Sequence, residues 1–412
     1  MINNQGGHAI GGTGRIRQHS RHLYALLLVV LLLILHGALS LPLLHPSPYN
    51  SYTLQAMAWR SGQTHLSQDV SHLELAIKDG LYYVSFPPVP SLPIYLLSFI
   101  FADQVPDGLL VKIYILIAYY ALCRMLTRRG WREQRAAAIS VLLCAASSML
   151  PLLLSGAVWY QAQVMAFMWI ALAVDAMFGG RPTIGLLYYA LSVGCRPFDA
   201  LYGPLLIGLY LTVGQPHGLR LQGLWGRAKA LVPGILLGLC VAAAYGWYNQ
   251  VRFGHPLEFG HNYLPEFSFQ GGIQFSLRHI PGNIRDYVLA LPFEQVGGAL
   301  SLRRFGFSLF LANPILLMML VWAVHDGLSR SFSWQKAAVM MTFLLHLLLL
   351  LSHRTFGGFQ YGARYAVDLI PYAALYLTLD RPEQKWTKPL VIIMILGLAL
   401  AIYGSLVIVL PY

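Results

Sequence analysis

The 412-residue chain contains little charge. Only 11% of its residues are charged and 57% are hydrophobic, whereas about a quarter of a soluble domain is charged. This scarcity excludes a soluble enzyme, a disordered chain and a coiled coil. The basic excess, 28 Lys and Arg against 16 Asp and Glu, accompanies long apolar runs. We therefore attribute it to membrane orientation and expect no nucleic-acid partner.

Cysteine is scarce as well. The four cysteines lie in or at the edge of apolar runs and form no CxxC pair, which argues against a zinc site and a disulfide framework. We interpret them as small core residues: Cys123, Cys144, Cys195 and Cys240. The glycine-rich residues 6–12 follow no predicted strand, so they are not a nucleotide-binding loop.

Long apolar runs dominate the sequence. The first, residues 23–44, is long enough to span the hydrocarbon layer, which takes about 20 residues. It lacks the short core and cleavage site of a signal peptide, so residues 1–22 form a cytoplasmic tail, flexible over 1–14, before a retained helix. Eleven runs predict an all-α polytopic membrane protein with one integral membrane domain, 23–412: 23–44, 108–127, 134–154, 159–178, 182–196, 199–214, 230–248, 306–325, 336–352, 366–379 and 389–409.

Charge asymmetry orients these spans. Residues 124–135 carry a net charge of +4 and residues 215–229 a net charge of +3, and loops rich in Lys and Arg stay in the cytoplasm. The long loops 45–105 and 249–305 then lie outside. Residues 91–102 are apolar but too short to cross, so we expect a re-entrant or juxtamembrane helix. The sequence predicts an integral membrane protein with a cytoplasmic N-terminus, whose functional face is the outer one.

The first outer loop combines aromatic groups with carboxylates. Residues 48–59 predict a short amphipathic helix with Tyr52, Ala56 and Trp59 on one face. Residues 69–80 predict a second juxtamembrane helix that ends at a glycine, and residues 82–90 are extended by their prolines. Such a loop can hold a carboxylate over a cavity.

Two later segments add basic and polar groups. Residues 248–263 are rich in His, Arg, Asn and Tyr, which suit either a sugar ligand or an interfacial aromatic belt. Arg364 and Asp368 are four residues apart and can pair on a helix, as an ion pair or as ligands. Arg196 and Asp199 suggest a hinge ion pair at a helix break. Arginine also suits bidentate contact with phosphate.

Several sequence blocks occur in an order that resembles a known superfamily. They are Tyr49-Asn-Ser-Tyr52, Glu74-Leu-Ala with Gly80-Leu-Tyr-Tyr-Val-Ser-Phe-Pro-Pro88, Cys195-Arg-Pro197, Arg252-Phe-Gly-His-Pro-Leu-Glu-Phe-Gly260 and Gln360-Tyr-Gly-Ala-Arg-Tyr-Ala-Val-Asp368. In these blocks the chain resembles the GT-C membrane glycosyltransferases, which include protein mannosyltransferase-like and aminoarabinose transferase-like enzymes. It is most similar to a bacterial group of uncharacterised members.

The resemblance implies inverting transfer of a hexosyl or pentosyl group from a polyprenyl-phosphate donor to a glycan, lipid or protein acceptor at the outer face. The resemblance also implies an acidic residue in the first outer loop that acts as general base or orients the acceptor hydroxyl. In many relatives this residue lies just after the first span, where this chain has the neutral Asn50. The catalytic role then passes to Glu74 or, second, to Asp69. The expected phosphate ligands are Arg364, Arg354 and His353, with Arg303 and Arg304. The full substrate-binding set is Asn50, Tyr52, Tyr82, Tyr83, Gln161, Arg252, His255, Glu258, His261, His353, Arg354, Gln360, Tyr361, Arg364 and Asp368.

No ligand spacing demands a metal, although a divalent cation could sit beside the carboxylates. A transporter or flippase for a lipid-linked saccharide would also need a cavity with arginine and aromatic groups. Internal repeats, common in transporters, are not evident here. An O-antigen ligase or polymerase, a non-catalytic scaffold and a relative that has lost activity are the other interpretations. Substitution of Glu74 and Asp69 should abolish transfer but not transport.

Overall fold

The structure is a computed structural model that describes residues 12–213, 221–268, 273–379 and 386–409. The chain is mainly helical. The helices are α1 Gly12–Ala38, α2 Ser51–Arg60, α3 Ser91–Phe101, α4 Asp107–Arg128, α5 Glu133–Ala145, α6 Met149–Leu153, α7 Val158–Phe178, α8 Pro182–Val193, α9 Tyr202–Thr212, α10 Leu221–Phe253, α11 Pro265–Ser268, α12 Ile280–Ile284, α13 Leu309–Ala312, α14 Pro314–Leu328, α15 Trp334–Ser352, α16 Ile370–Thr378 and α17 Lys388–Val409. Short 3₁₀ segments cover Pro197–Leu201, His261–Tyr263, Leu277–His279 and Arg364–Leu369, and one π turn covers Arg285–Leu289.

Two β-hairpins interrupt the helices. Strands β1 Leu75–Lys78 and β2 Leu81–Val84 pair antiparallel, as do β3 Phe293–Val296 and β4 Ala299–Leu302. The prediction of a helix over 69–80 is therefore wrong. Asp79 and Gly80 both have positive φ, 52° and 74°, which is the conformation of a two-residue hairpin turn that Asp-Gly favours. The glycine turns a hairpin and does not end a helix.

Helix α7 lies at the centre of the bundle. Within its most apolar window 83% of the residues are buried, against 11% for the window in Gly223–Phe253 of α10. Helix α7 packs against α4 and α8, and α10 packs on the outside of α8. The outer face of α10 exposes Leu236, Leu239 and Trp247. A long helix that is apolar on its exposed face is typical of a membrane-spanning segment.

Six helices among the described residues are long and apolar enough to cross a membrane. They are Ser20–Ala38, Asp107–Arg128, Val158–Phe178, Gly223–Phe253, Trp334–Ser352 and Lys388–Val409. The predicted class, a helical integral membrane protein, is confirmed. Each of the other predicted runs also contains helix, but in shorter pieces. The total of about eleven spans therefore stays a prediction.

Two of the predicted apolar runs are each interrupted by a helix break, and the two breaks contact each other. The run 134–154 divides between α5 and α6, and the run 306–325 divides between α13 and α14 at Asn313, which precedes a proline. The Ser148 amide donates to Asn313 Oδ1 at 3.0 Å, and Asn313 Nδ2 donates to Ser148 Oγ at 3.1 Å. The buried amide thus satisfies backbone groups that the break leaves without helical partners.

The chain termini differ in part from expectation. Helix α1 begins at Gly12, so residues 12–14, predicted to be flexible, are helical. Residues 1–11 lie outside the described residues, and the cytoplasmic position of residues 1–22 stays a prediction. The basic segment 215–229 is described only from residue 221, inside α10.

The helices predicted near 48–59 and 91–102 are confirmed as α2 and α3. At 11 residues, α3 extends only about 16 Å, too little to cross the hydrocarbon layer.

The two ends of α7 have different chemistry. Asp175, near its C-terminus, forms ion pairs with Arg124, Arg128 and Arg181. We call this group, together with Arg21, the arginine end. The N-terminus of α7 begins at Val158 and borders a cavity, so we call that side the cavity end. At 1.5 Å per residue, the 21-residue helix separates the two ends by about 30 Å.

Candidate active site

A cavity of about 280 Å³ opens at the cavity end. Five segments far apart in sequence enclose it: the strip after β2, the start of α7, the break after α8, the loop that follows α10 and the loop that follows α15. Its lining residues are Ser85, Phe86, Pro87, Trp159, Ala162, Cys195, Arg196, Pro197, Phe198, Leu257, Glu258, Phe259, His261, Asn262, Gln274, Phe275, His353, Arg364 and Tyr365. An apolar wall with a few convergent polar groups is the usual form of a ligand site.

Arg196 is neutralised inside the protein. Its Nε and Nη2 both donate to Asp368 Oδ2, at 2.9 and 2.7 Å, and its guanidinium lies 4.7 Å from the Tyr365 ring centre. The predicted pairs Arg364–Asp368 and Arg196–Asp199 are therefore wrong. Residues 364–369 form a 3₁₀ helix, whose three-residue turn moves positions four apart onto different faces. Asp199 instead accepts a hydrogen bond from the Ser192 hydroxyl.

Arg364 has no carboxylate partner among the described residues. Its guanidinium lies 5.9 Å from the Trp159 ring centre, 5.6 Å from that of Tyr160 and 5.2 Å from that of Tyr365. Its Nε is buried and makes no hydrogen bond in the described structure. A fixed guanidinium that forms no direct ion pair and lies beside a cavity is a suitable partner for an anion, especially for a phosphate.

The backbone around Arg364 holds this side chain in place. The Arg364 amide donates to Gln360 Oε1 at 2.8 Å, and Gln163 Nε2 donates to the Arg364 carbonyl at 3.0 Å. The guanidinium also crosses Gly357 so closely that a Cβ there would lie 2.6 Å from Arg364 Nε. Gly357 has a φ of +106°, a conformation that glycine adopts most readily. The glycine therefore both makes the turn and leaves room for the arginine.

Two histidines face the cavity as neutral rings. His353 Nδ1–H donates to the Thr355 carbonyl, and Gln274 Nε2 donates to His353 Nε2 at 3.3 Å. Burial lowers the pKa of His353 to about 4, and the Thr355 hydrogen bond opposes that shift only in part. Burial and the adjacent His353 lower the pKa of His261 to about 4 as well. His353 can therefore donate or accept hydrogen bonds as a neutral ring, and its contact with a phosphate stays a prediction.

Two predicted carboxylates approach the cavity. Glu258 lines it, and its two oxygens accept from the Gly260 amide and from Asn262 Nδ2, each at 2.8 Å. Glu74 lies at the rim, where its Oε2 accepts from the indole Nε1–H of Trp159 at 2.9 Å. Asp69, the second catalytic candidate, is exposed and does not line the cavity.

A third carboxylate, Glu266, was not singled out from the sequence. Burial raises its pKa and the charge of nearby Glu74 raises it further, while Arg354 opposes both effects. The Arg354 guanidinium lies 3.3 Å from the Phe267 ring centre. Arg354 is thus near a carboxylate. The only sequence signal for Glu266 was its position among the few acids of the second long loop.

Several predicted binding residues hold the first hairpin instead. Arg252 is buried; its Nη1 donates to the Val84 carbonyl at 2.8 Å and its Nη2 to Asn249 Oδ1 at 2.9 Å. The Tyr83 ring packs 5.3 Å from that of Phe253. Tyr82 lies beside it in β2, outside the cavity lining. Together these contacts fix the hairpin that carries Glu74 against the end of α10.

The remaining predicted residues lie behind or outside the cavity. Tyr52 and Gln161 are buried, and the ring of Tyr52 lies 6.4 Å from that of the lining residue Phe86. The Gln360 amide donates to the Arg304 carbonyl at 2.7 Å, and Tyr361 packs on Phe307. Asn50 precedes α2, and His255 is exposed. None of these six lines the cavity.

The described residues contain no group of three or more His, Cys, Asp or Glu side chains placed to bind a metal. A divalent cation beside the carboxylates therefore stays a prediction. The cavity and its rim provide buried guanidinium groups, neutral imidazoles, aromatic rings and carboxylates. These groups can bind an anion and hydroxyl groups and can accept a proton.

Comparison with known proteins supports the fold. No protein-family model matches the chain, and no curated protein sequence matches it. The apo oligosaccharyltransferase of Archaeoglobus fulgidus superposes with a TM-score of 0.51 and 14% identity, covering 96% of this chain and 57% of that one. The chain has a GT-C fold. Membership of the predicted superfamily and of its bacterial subgroup stays a prediction.

A second structure from the same organism, oligosaccharyltransferase AglB in complex with an inhibitory peptide and a dolichol-phosphate, gives a TM-score of 0.45 and 12% identity. It covers 94% of this chain and 55% of that one. The chain therefore spans somewhat more than half the length of the structures that it matches.

Proposed function

We propose that the chain is a glycosyltransferase that moves a sugar from a polyprenyl-phosphate-linked donor to an acceptor at the outer face of a membrane. The observation that carries the proposal is the cavity with Arg364, a buried guanidinium without a carboxylate partner, surrounded by aromatic rings. The GT-C fold, shared with an oligosaccharyltransferase, supports it.

In this proposal Arg364 binds the donor phosphate. Departure of a lipid phosphate leaves negative charge on oxygen, and a preorganised cation with little water around it stabilises that charge. Arg196 cannot serve equally well, because Asp368 already neutralises it. Trp159 and Tyr365 then flank the sugar, whose rings and hydroxyls suit an aromatic wall with polar edges.

Glu74 is the proposed base. As the acceptor oxygen attacks the anomeric carbon, Glu74 takes its proton, and the bond from that carbon to the phosphate oxygen breaks with its electron pair leaving on the phosphate. This single displacement inverts the anomeric centre. Glu258 and the neutral His353 supply hydrogen bonds to sugar hydroxyls.

The position of the cavity supports an outer-face reaction. The cavity end and the arginine end lie at opposite ends of α7, about 30 Å apart. If the arginine end faces the cytoplasm, as the positive-inside rule predicts, the cavity opens to the outer side. The acceptor is then a glycan, lipid or protein at the outer face of a bacterial cytoplasmic membrane.

The test is transfer of radiolabelled sugar from a panel of polyprenyl-phosphate donors to a membrane extract. Arg364→Gln should reduce transfer by roughly 10²–10³-fold, the usual effect of removing one group that stabilises a developing oxyanion. Arg303→Gln is the matched control, because Arg303 is paired with Glu294 at 3.4 Å and does not line the cavity.

Equal transfer by the Arg364 and Arg303 variants would contradict the proposed phosphate site. Movement of an intact lipid-linked saccharide across vesicles that contain wild type, with no transfer from any donor, would favour the transporter interpretation.

A further inference from the structure

A second cavity, of about 270 Å³, lies at the arginine end. Helices α1 and α4 and the start of α5 enclose it, and its walls include Arg21, His22, Tyr120, Arg124 and Glu133. We propose that it binds a phosphate-bearing anion, namely the headgroup of an anionic phospholipid in the adjacent leaflet. This site is separate from the proposed sugar-transfer cavity and does not depend on it.

The charges around the cavity favour an anion. Arg124 donates one guanidinium nitrogen to Asp175 at 2.7 Å, but Asp175 also pairs with Arg128 and Arg181. One carboxylate thus faces three arginines, of which only Arg124 lines the cavity. The lining itself carries Arg21 and Arg124 against Glu133, a surplus of one positive charge. Within this count, the positive charge of Arg21 and the negative charge of Glu133 cancel. A phosphate diester carries the single negative charge that this surplus attracts.

The geometry separates a binding role from simple membrane orientation. Arginines that only orient a span need to reach cytoplasmic water, whereas Arg21 and Arg124 approach one cavity from two different helices. Arg21 Nε donates to His22 Nε2 at 3.4 Å, and His22 Nδ1 lies 3.1 Å from the Tyr120 hydroxyl. The resulting row combines a cation with neutral hydrogen-bonding groups, as phosphate recognition requires.

Helix α5 adds to the positive potential. It begins at Glu133 and has 13 residues, and its N-cap residue Arg132 makes no side-chain capping bond. Its first-turn N–H groups therefore lack a side-chain cap, and a helix N-terminus carries a partial positive charge. Because Glu133 lines the cavity, this end of the helix borders the proposed site.

The surroundings favour a lipid over a soluble anion. On α1 the residues after His22 expose large apolar side chains, with Leu23 at 56% and Leu26 at 57%, and α4 exposes Ile117 at 39%. These surfaces belong to two helices that are apolar and long enough to cross a membrane. A ligand with acyl chains can therefore place its headgroup in the cavity while its chains run along the apolar helix faces.

The test measures binding to the purified full-length chain in detergent by calorimetric titration. The probes are dihexanoyl phosphatidylglycerol, dihexanoyl phosphatidylcholine and inorganic phosphate. Arg21→Gln removes a cavity cation that has no carboxylate partner among the described residues, so folding should persist. Arg132→Gln is the matched control, because Arg132 is exposed at the same end and does not line the cavity.

Phosphatidylglycerol should bind wild type and the Arg132 variant equally, and bind the Arg21 variant roughly tenfold more weakly, the effect of one lost charged hydrogen bond. Phosphatidylcholine should bind more weakly than phosphatidylglycerol. Inorganic phosphate binding as tightly as phosphatidylglycerol would overturn the lipid assignment in favour of a soluble anion. Equal phosphatidylglycerol binding by the two variants, or no saturable binding, would overturn the site.

Discussion

The two ends of α7 treat their arginines differently. At the arginine end, Arg124, Arg128 and Arg181 share the buried Asp175, and their side chains keep 48%, 37% and 50% exposure. At the cavity end, the Arg196 side chain is 16% exposed and is paired with Asp368, of which 1% is exposed. If Asp175 is removed, water can hydrate the three arginines at the arginine end. The buried pair at the cavity end cannot be hydrated in the same way, so each ion depends on the other.

Arg364 differs from both groups. It is as buried as Arg196 but has no carboxylate partner in the described part of the chain. A buried charge without a partner is costly unless a ligand completes it. We therefore distinguish the arginines that form ion pairs from Arg364, the proposed phosphate ligand. Three variants and a pH series test this distinction.

Arg196→Gln should have the largest effect on stability. It leaves the Asp368 carboxylate buried without its ion-pair partner, which typically costs about 3–5 kcal/mol. The measurement is the unfolding temperature in detergent. The double variant Arg196→Gln/Asp368→Asn removes both charges and should recover part of the loss. If the double variant is no more stable than the single one, the buried pair is not what holds this end together.

Acidification should weaken the cavity end next. The pKa of His353 is lowered from 6.5 to about 4, so its folded form binds a proton less readily than its unfolded form. Stability is then constant above pH 6.5 and falls as the pH drops from 6.5 towards 4, by about 3 kcal/mol in the limit. His353→Gln should make the pH profile of the unfolding temperature less steep, and His261, whose pKa is also lowered to about 4, should account for part of the remaining slope. His22→Gln, at the exposed arginine end, should leave the profile steep; equal profiles for the two variants would contradict this assignment.

Asp175→Asn should have the smallest effect. The three arginines that it leaves are each about half exposed and regain water, so we expect a loss of about 1 kcal/mol, the scale of exposed ion pairs. The unfolding temperature again gives the comparison. A loss as large as that of Arg196→Gln would show that water does not reach the arginine end and would remove the contrast between the two ends.

Much of the fold was predictable because it depends on local sequence. The apolar runs place helices, and the helices near 48–59 and 91–102 follow from short-range patterns. The first hairpin was missed although its turn signal, Asp79-Gly80, stood in the sequence; the glycine was interpreted as a helix end. The breaks at residues 146–148 and at Asn313 depend on each other through a long-range hydrogen bond, and local patterns do not show such contacts.

The sequence predicted which segments form the site, but it did not predict the role of each residue within them. Four of the five resemblance blocks contribute lining residues, among them Phe86, Arg196, Glu258 and Arg364. Their roles depend on pairings such as that of Arg196 with Asp368, which are 172 positions apart. Spacing suggested the nearer pairs instead. Arg252 lies in a segment rich in His, Arg, Asn and Tyr, and that composition predicted a binding residue. In the structure Arg252 lies behind the hairpin and donates to the Val84 carbonyl, which is a structural contact.

The most direct test of the account is transfer from a polyprenyl-phosphate sugar donor by wild type, Glu74→Gln and Asp69→Asn. Glu74 contacts the cavity wall through Trp159, whereas Asp69 is exposed and outside the lining. The account predicts transfer by wild type, nearly unchanged transfer by the Asp69 variant, and a loss of about 10²–10⁴-fold in a normally folded Glu74 variant, the range for a removed general base. Full transfer by Glu74→Gln would contradict the proposed base, and absence of transfer by wild type with every donor tested would contradict the proposed function.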